Sequence, residues 1–239
     1  MWRPICAKAP VPPASGTRLT QEEISVRRIQ ENLLAKSERR LLNWLCARLP
    51  AAIKPDHLTA IGLVGAALTL AGYAASGTDR WWLWLAVAGY FVHWFGDSLD
   101  GSIARHRGIE RPRYGYFLDH SADGIGNLFI VGGLGLSPFV RFDVALIALC
   151  GYYLMSIHAF LAARVLGELK LSYVAAGPTE LRLLLIAITL LMFAFGHNVP
   201  HVGPFSAFDL FVGTAGIALI LLFVVQTVLT ARRLARMGE

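Results

Sequence analysis

The chain has 239 residues, of which 55% are hydrophobic and only 16% charged, with a mean hydropathy of +0.53 and a net charge of +6. A soluble domain carries about 25% charged residues, so the deficit excludes an ordinary water-facing globule and points to lipid. The basic excess leaves nucleic acid or an anionic membrane surface as partner, and the placement of the charges decides between them.

Residues 1–19 hold Pro4, Pro10, Pro12 and Pro13 among small residues and read as a flexible tail. They lack the apolar stretch of a signal peptide, so the first membrane segment is expected to serve as the insertion signal. Residues 20–50 predict an amphipathic helix. Thr20 and Glu23 have capping-box spacing, and Ile24, Ile29, Leu33, Leu34, Leu41, Leu42 and Leu45 fall near one stripe with Arg and Lys between them. That pattern suits a helix lying on a membrane surface; a solvated helix is the alternative. Six apolar segments follow, at about 57–77, 81–105, 114–136, 142–167, 180–196 and 207–230. Each approaches the ~20 residues that span a bilayer. The links are short, which predicts one domain over 51–231 and a basic tail over 232–239. The expected fold is all-α: a polytopic six-transmembrane-helix bundle with an N-terminal amphipathic juxtamembrane helix. Cys6, Cys46 and Cys150 lie far apart without a CxxC and read as inert thiols.

Nearly all of the 22 Lys and Arg residues fall before the first segment, in the links 2–3 and 4–5, or after the sixth. Arg80 and Arg141 fall on the opposite side, and Arg182 sits inside the fifth segment. By the positive-inside rule both termini are cytoplasmic. The positive charge is thus an orientation signal, which removes the case for nucleic acid.

The second segment ends in GDSLDGSIAR and the third opens with GYFLDHSAD, placing Asp97, Asp100, Asp119 and Asp123 inside apolar helices. A charge at the centre of a membrane helix costs roughly 2.5–3.5 kcal/mol on insertion scales, and four carboxylates also repel one another. A divalent cation resolves both costs, because hard oxygen ligands suit Mg²⁺ or Mn²⁺. Asp97 and Asp100 are i, i+3 and Asp119 and Asp123 are i, i+4, so each pair occupies one helical face. The two helices are consecutive and antiparallel, so the faces can meet near the cytoplasmic end. Gly96, Gly101, Ala104 and Gly115 allow close approach and leave room for a ligand. The expected ligand is a diphosphate bridged by the metal, with Arg105 placed to pair with a phosphate.

The run D-x2-D-G-x2-A-R-x9-G-x3-D-x3-D (Asp97, Asp100, Gly101, Ala104, Arg105, Gly115, Asp119, Asp123) resembles the signature of the CDP-alcohol phosphotransferases. Pro55-Asp56-His57-Leu58-Thr59 is similar to the family's lead-in to its first helix, with Asp56 in place of an Asn. The resemblance covers about residues 50–230. It implies two divalent ions, a CDP-linked donor, CMP as leaving group, a homodimer and a site open to the cytoplasm, in a bacterial inner or other plasma membrane. It implies Asp97, Asp100 and Asp119 as metal ligands and Asp123 as both ligand and general base. It also implies that Gly101 and Ala104 accommodate the nucleotide, with Asp56 and Gly115 beside it. Two branches stay open: CDP-diacylglycerol with a soluble alcohol, or a CDP-amino alcohol with a lipid hydroxyl. Asp119-His120 and Gly177-Pro178-Thr179-Glu180 resemble the choline/ethanolamine branch, while Ser121-Ala122 departs from it.

His120, between two of the aspartates, is the rival base or a substrate contact; a packing role is the plain alternative. Glu180 fits a helix start, where the dipole favours a carboxylate, or contact with a cationic head group. Arg164, near the cytoplasmic end of the fourth segment, is a candidate substrate contact or an interfacial charge. His93, among aromatics, reads as packed, and His197 and His201 read as loop residues despite their i, i+4 spacing. Gly132, Gly133 and Gly135 predict a packing surface. An ion- or proton-coupled transporter would also use intramembrane aspartates; here they cluster at one end and trace no path.

Overall fold

The computed structural model describes residues 27–29, 35–166, 168–170, 177–196 and 198–238. In chain order these form β1 (Arg27–Ile29), α1 (Ala35–Cys46), α2 (Pro55–Ala75), a 3-10 turn (Arg80–Trp82), α3 (Leu83–Arg107), α4 (Pro112–Leu136), α5 (Phe142–Leu166), β2 (Glu168–Lys170), α6 (Pro178–Phe195), β3 (His201–Val202), β4 (Phe205–Ser206) and α7 (Ala207–Met237). The fold is therefore mostly helical. Four helices, α2, α5, α6 and α7, are long and apolar enough to cross a membrane. The remaining long helices, α3 and α4, are 25 residues each and hold the four aspartates together with Arg105, Arg107 and Arg113.

Local chemistry sets the helix ends that matter. α2, α4 and α6 each open on a proline, whose fixed φ and missing N–H suit the first turn. α3 closes at Gly108, whose φ of +63° is the left-handed cap conformation, and Ile109 N then bonds to Ala104 O at 3.0 Å. This tight stop, four residues before Pro112, folds α4 back along α3 and brings the two aspartate-bearing ends together. α7 opens on a true capping box, with Ser206 Oγ accepting from Asp209 N and Asp209 Oδ2 accepting from Ser206 N.

The expected helix over 20–50 requires correction. Its described part is helical only from Ala35 to Cys46, and Arg27–Ile29 is extended, paired in parallel with Glu168–Lys170. There the backbone groups of the strand bond to β2 instead of to a helical turn, in a stretch whose β-branched Ile suits a strand. The Thr20–Glu23 capping box and the tail over 1–19 lie outside the described residues, as do Cys6 and His197. The expected end of the sixth segment at 230 is also corrected: α7 runs helical to Met237, so Arg232, Arg233 and Arg236 of the basic tail lie on the same helix. α1 buries Cys46 and packs Leu42 and Leu45 against Leu58, Leu99 and Ile103, while Leu41 and Trp44 face outward with the Arg48 guanidinium 3.9 Å over the Trp44 ring. Burial pushes the Cys46 thiol pKa up, which fits an inert thiol.

α2 and α3 form the closest pair. A Cβ on Gly65 would fall 2.2 Å from His93 N, one on Gly72 would fall 2.4 Å from Ala86 N, and one on Gly96 would fall 2.2 Å from Gly62 N. Small residues are what let the two backbones approach this far. Gly72→Ala is accordingly expected to cost at least about 1–3 kcal/mol, the usual penalty of overpacking, read as a lower melting temperature in detergent. Gly77→Ala, where a Cβ meets nothing within 4 Å, should melt like the parent; equal melting of both variants would contradict the close approach. Of the expected glycine surface on α4, Gly133 (against Leu70) and Gly135 (against Ala145) are packed and Gly132 is open.

Polar ties join the helices inside this core. Thr189 donates to Leu185 O at 2.7 Å, so its single proton is spent and Tyr73 must donate to it at 2.5 Å. Tyr90 then donates to Tyr73 at 3.2 Å, linking α3, α2 and α6. On the side of the α1–α2 link, Arg107 fans its guanidinium onto the carbonyls of Leu49, Pro50 and Ile53. That arginine, counted in the sequence as part of the orientation signal, holds a loop in place.

Candidate metal and catalytic centre

α3 delivers Asp97 and α4 delivers Asp119 and Asp123 to one place: each offers a carboxylate oxygen, and these atoms all lie within 4.8 Å of one another. Three anions at that spacing repel strongly wherever water is scarce. The group therefore calls for a cation, and three carboxylate oxygens suit a hard divalent ion such as Mg²⁺. The residues present fit such an ion.

Asp100 stands apart from these three. It is buried, Thr59 Oγ1 donates to its Oδ2 at 2.7 Å, and its Oδ1 accepts from Gly101 N. Thr59 thus ties the start of α2 to the acidic end of α3. A crevice beside Asp97 is lined by Thr59, Gly62, Leu63, His93 and Ala122. His93 is buried and its Nδ1 lies 3.2 Å from Gly62 O, the packed role expected for it.

Arg182, in the second turn of α6, forms an ion pair with Asp97, and both side chains are largely buried. Neither Arg182, inside the fifth apolar segment, nor Thr59, in the lead-in to the first, is among the residues that the sequence marks for the site. A lone arginine among Leu181, Leu183 and Leu184 in an apolar helix was the available signal.

The other candidates take the following places. The Arg105 guanidinium folds back over Gly101 and donates to Ser102 Oγ at 3.3 Å. Ala104 is half-buried on the same helix. A Cβ on Gly115 would meet nothing within 4 Å, so that position faces open space at the start of α4. Asp56 pairs with Arg111, which stacks over Tyr114 at 4.1 Å, and so ties the start of α2 to the start of α4. Glu180 accepts from Gly177 N at 3.0 Å, which is a helix cap. Arg164 is exposed in the last turn of α5.

His120 donates from Nδ1 to Tyr116 O at 2.8 Å, since a carbonyl can only accept. Its ring lies 4.2 Å from that of Tyr116 and 5.0 Å from Phe160 on α5. Asp119 Oδ2 is 3.8 Å from the same Nδ1. His120 is therefore held by aromatic neighbours beside the carboxylate group, whereas Asp123 is inside it.

Residues 52–231 match the family model described as CDP-alcohol phosphatidyltransferase. Cholinephosphotransferase 1 of Gallus gallus is 30% identical over 165 residues, covering 64% of this chain and 48% of that protein. Archaetidylinositol phosphate synthase of Pyrococcus horikoshii is 32% identical over 104 residues, 44% of this chain and 52% of that protein. Phosphatidylinositol phosphate synthase of Cutibacterium acnes is 37% identical over 90 residues, 38% of this chain and 41% of that protein. The chain thus spans about half the length of these curated relatives or less.

Proposed function

Because the chain belongs to the CDP-alcohol phosphatidyltransferase family, we propose that it makes phospholipid by moving a substituted phosphate from a CDP-linked donor to an alcohol hydroxyl, with release of CMP. The observation that carries this reading is the convergence of Asp97, Asp119 and Asp123. Asp97, Asp119 and Asp123 hold the divalent ions, and Asp100 joins them from its bond with Thr59. When bound, such ions neutralise the charge of a diphosphate and polarise its oxygens. Asp123 takes the proton of the acceptor hydroxyl. The hydroxyl oxygen then bonds to the phosphorus that carries the donor's own alcohol, and the bond from that phosphorus to the bridging oxygen breaks, leaving CMP. Gly101, Ala104 and the open position at Gly115 leave room for the nucleotide. Arg105 turns from Ser102 to a phosphate.

The donor belongs to the amino-alcohol class in this reading, supported by the D-H-x-x-D run and the G-P-T-E start of α6, and by the cholinephosphotransferase match over 165 residues. A second reading, CDP-diacylglycerol with an inositol phosphate, is favoured by the two inositol phosphate synthase relatives. CMP release from a panel of CDP donors and alcohols with Mg²⁺ decides between them; no CMP from any pair would sink both. Arg164 and Glu180 are substrate contacts in the first reading, and loss of Arg164 should then raise KM for the acceptor.

In the membrane, α3 and α4 cross with the other four long helices, α1 lies on the cytoplasmic surface, and the protein is a homodimer with its site open to the cytoplasm. The distribution of Lys and Arg supports this orientation. Cysteines at positions 79 and 110, both exposed, are expected to label from opposite faces once Cys6, Cys46 and Cys150 are replaced. Labelling of both from the external face would refute the arrangement.

A further inference from the structure

Three carboxylates converge, yet a fourth charged side chain already occupies one arm of the group. Arg182 is the inward residue of a turn whose neighbours Leu181, Leu183 and Leu184 are all exposed. Its guanidinium pairs with Asp97, with side-chain exposures of 12% and 21%. Few residues of α6 are buried, namely Ile188, Thr189 and Met192, and all lie in its second half. The first half is attached by polar ties, Thr179 to Glu38 at 2.6 Å and Arg182 to Asp97. A guanidinium and a divalent ion both seek the Asp97 carboxylate, and each repels the other.

We propose that Arg182 is a positioning residue that stands in for a metal cation at Asp97, balancing the acidic group before an ion loads and yielding Asp97 to the ion when it does. This rests on the metal-site reading above. Competition for one ligand is a negative coupling, and such couplings are reciprocal. Removing Arg182 therefore tightens ion binding and destabilises the ion-free protein. A purely organising arginine predicts the opposite sign, since its loss would weaken ion binding.

The test uses the full chain in detergent with Mn²⁺ as probe, following free Mn²⁺ by electron paramagnetic resonance and unfolding by thermal melting. Arg182→Gln is expected to bind Mn²⁺ about 5- to 150-fold more tightly than the parent, the usual range of such couplings. It should melt earlier than the parent in EDTA, with the gap closing at saturating Mn²⁺. Arg182→Lys keeps the charge but loses the planar fork, so it falls between the two, and serves alone if the glutamine variant does not purify folded. Parent binding with equal or weaker binding in these variants overturns the role of Arg182 and leaves the metal site standing. Absence of Mn²⁺ binding in the parent, or binding unchanged by Asp119→Asn, overturns the metal site and this inference with it.

Discussion

Asp119→Asn is expected to abolish CMP formation, a loss of ~1,000-fold or more, while the protein still inserts and purifies as a single species. A bound ion contributes several kcal/mol of charge stabilisation in phosphoryl transfer, and each 1.36 kcal/mol is about tenfold in rate. Asparagine keeps the size of the side chain but removes the charge that holds the ion. Folding should survive, because one of three mutually repelling carboxylates has been neutralised. Asp97→Asn should lose as much activity but is the less clean experiment. It also leaves Arg182 without its carboxylate partner, and an unpaired, largely buried charge destabilises on its own account. CMP release at millimolar Mg²⁺, read beside a size-exclusion profile, checks both. Substantial activity in Asp119→Asn would defeat the metal assignment.

The second large effect separates the two candidates for general base. An alcohol is a poor nucleophile until its proton is drawn off, and a positioned base contributes roughly 10²–10⁴-fold. Asp123 lies within the carboxylate group, so an acceptor entering beside a bound diphosphate meets it directly. His120 keeps Nδ1 on Tyr116 O and its ring against Tyr116 and Phe160. Asp123→Asn should therefore lose turnover by about 10²–10⁴-fold with donor binding still measurable, and His120→Asn should retain substantial activity. The reverse pattern would hand the proton to the histidine and strengthen the link to the choline/ethanolamine branch.

The sequence made the aspartate pairs legible because a helix has one period and two consecutive helices one return. Spacings of three and four fixed the faces, and the short link brought them together. It could not separate Asp100 from the other three, because Thr59, whose hydroxyl bonds to Asp100, lies 41 positions earlier on a different helix. Arg182 escaped for a related reason: an arginine near a helix start looks like an interfacial charge until the helix's rotation is known. The same holds for Arg107, whose four carbonyl partners sit more than 50 positions away. The strand at Arg27–Ile29 was hidden because its partner, Glu168–Lys170, carries little local strand signal and lies almost the length of the core away. The boundaries of α2 to α6 lie within a few residues of the expected ones, because prolines and Gly108 mark several of them locally, whereas α7 runs on to Met237, past the expected end at 230.

The buried hydroxyl chain from Tyr90 through Tyr73 to Thr189 has a bearing on α6 beyond cohesion. Thr189 and Arg182 are seven residues apart, two turns on the same face, about 10.5 Å along the axis. A hydrogen bond is directional, so the tyrosine pair fixes the azimuth at which α6 presents that face. Turning the helix by a single residue would rotate Arg182 by about 100° and carry it off Asp97 toward lipid. The hydroxyls thus act as an indexing pin: they lie deep in the apolar core, away from any reacting atom, yet they aim the cation at the acidic group.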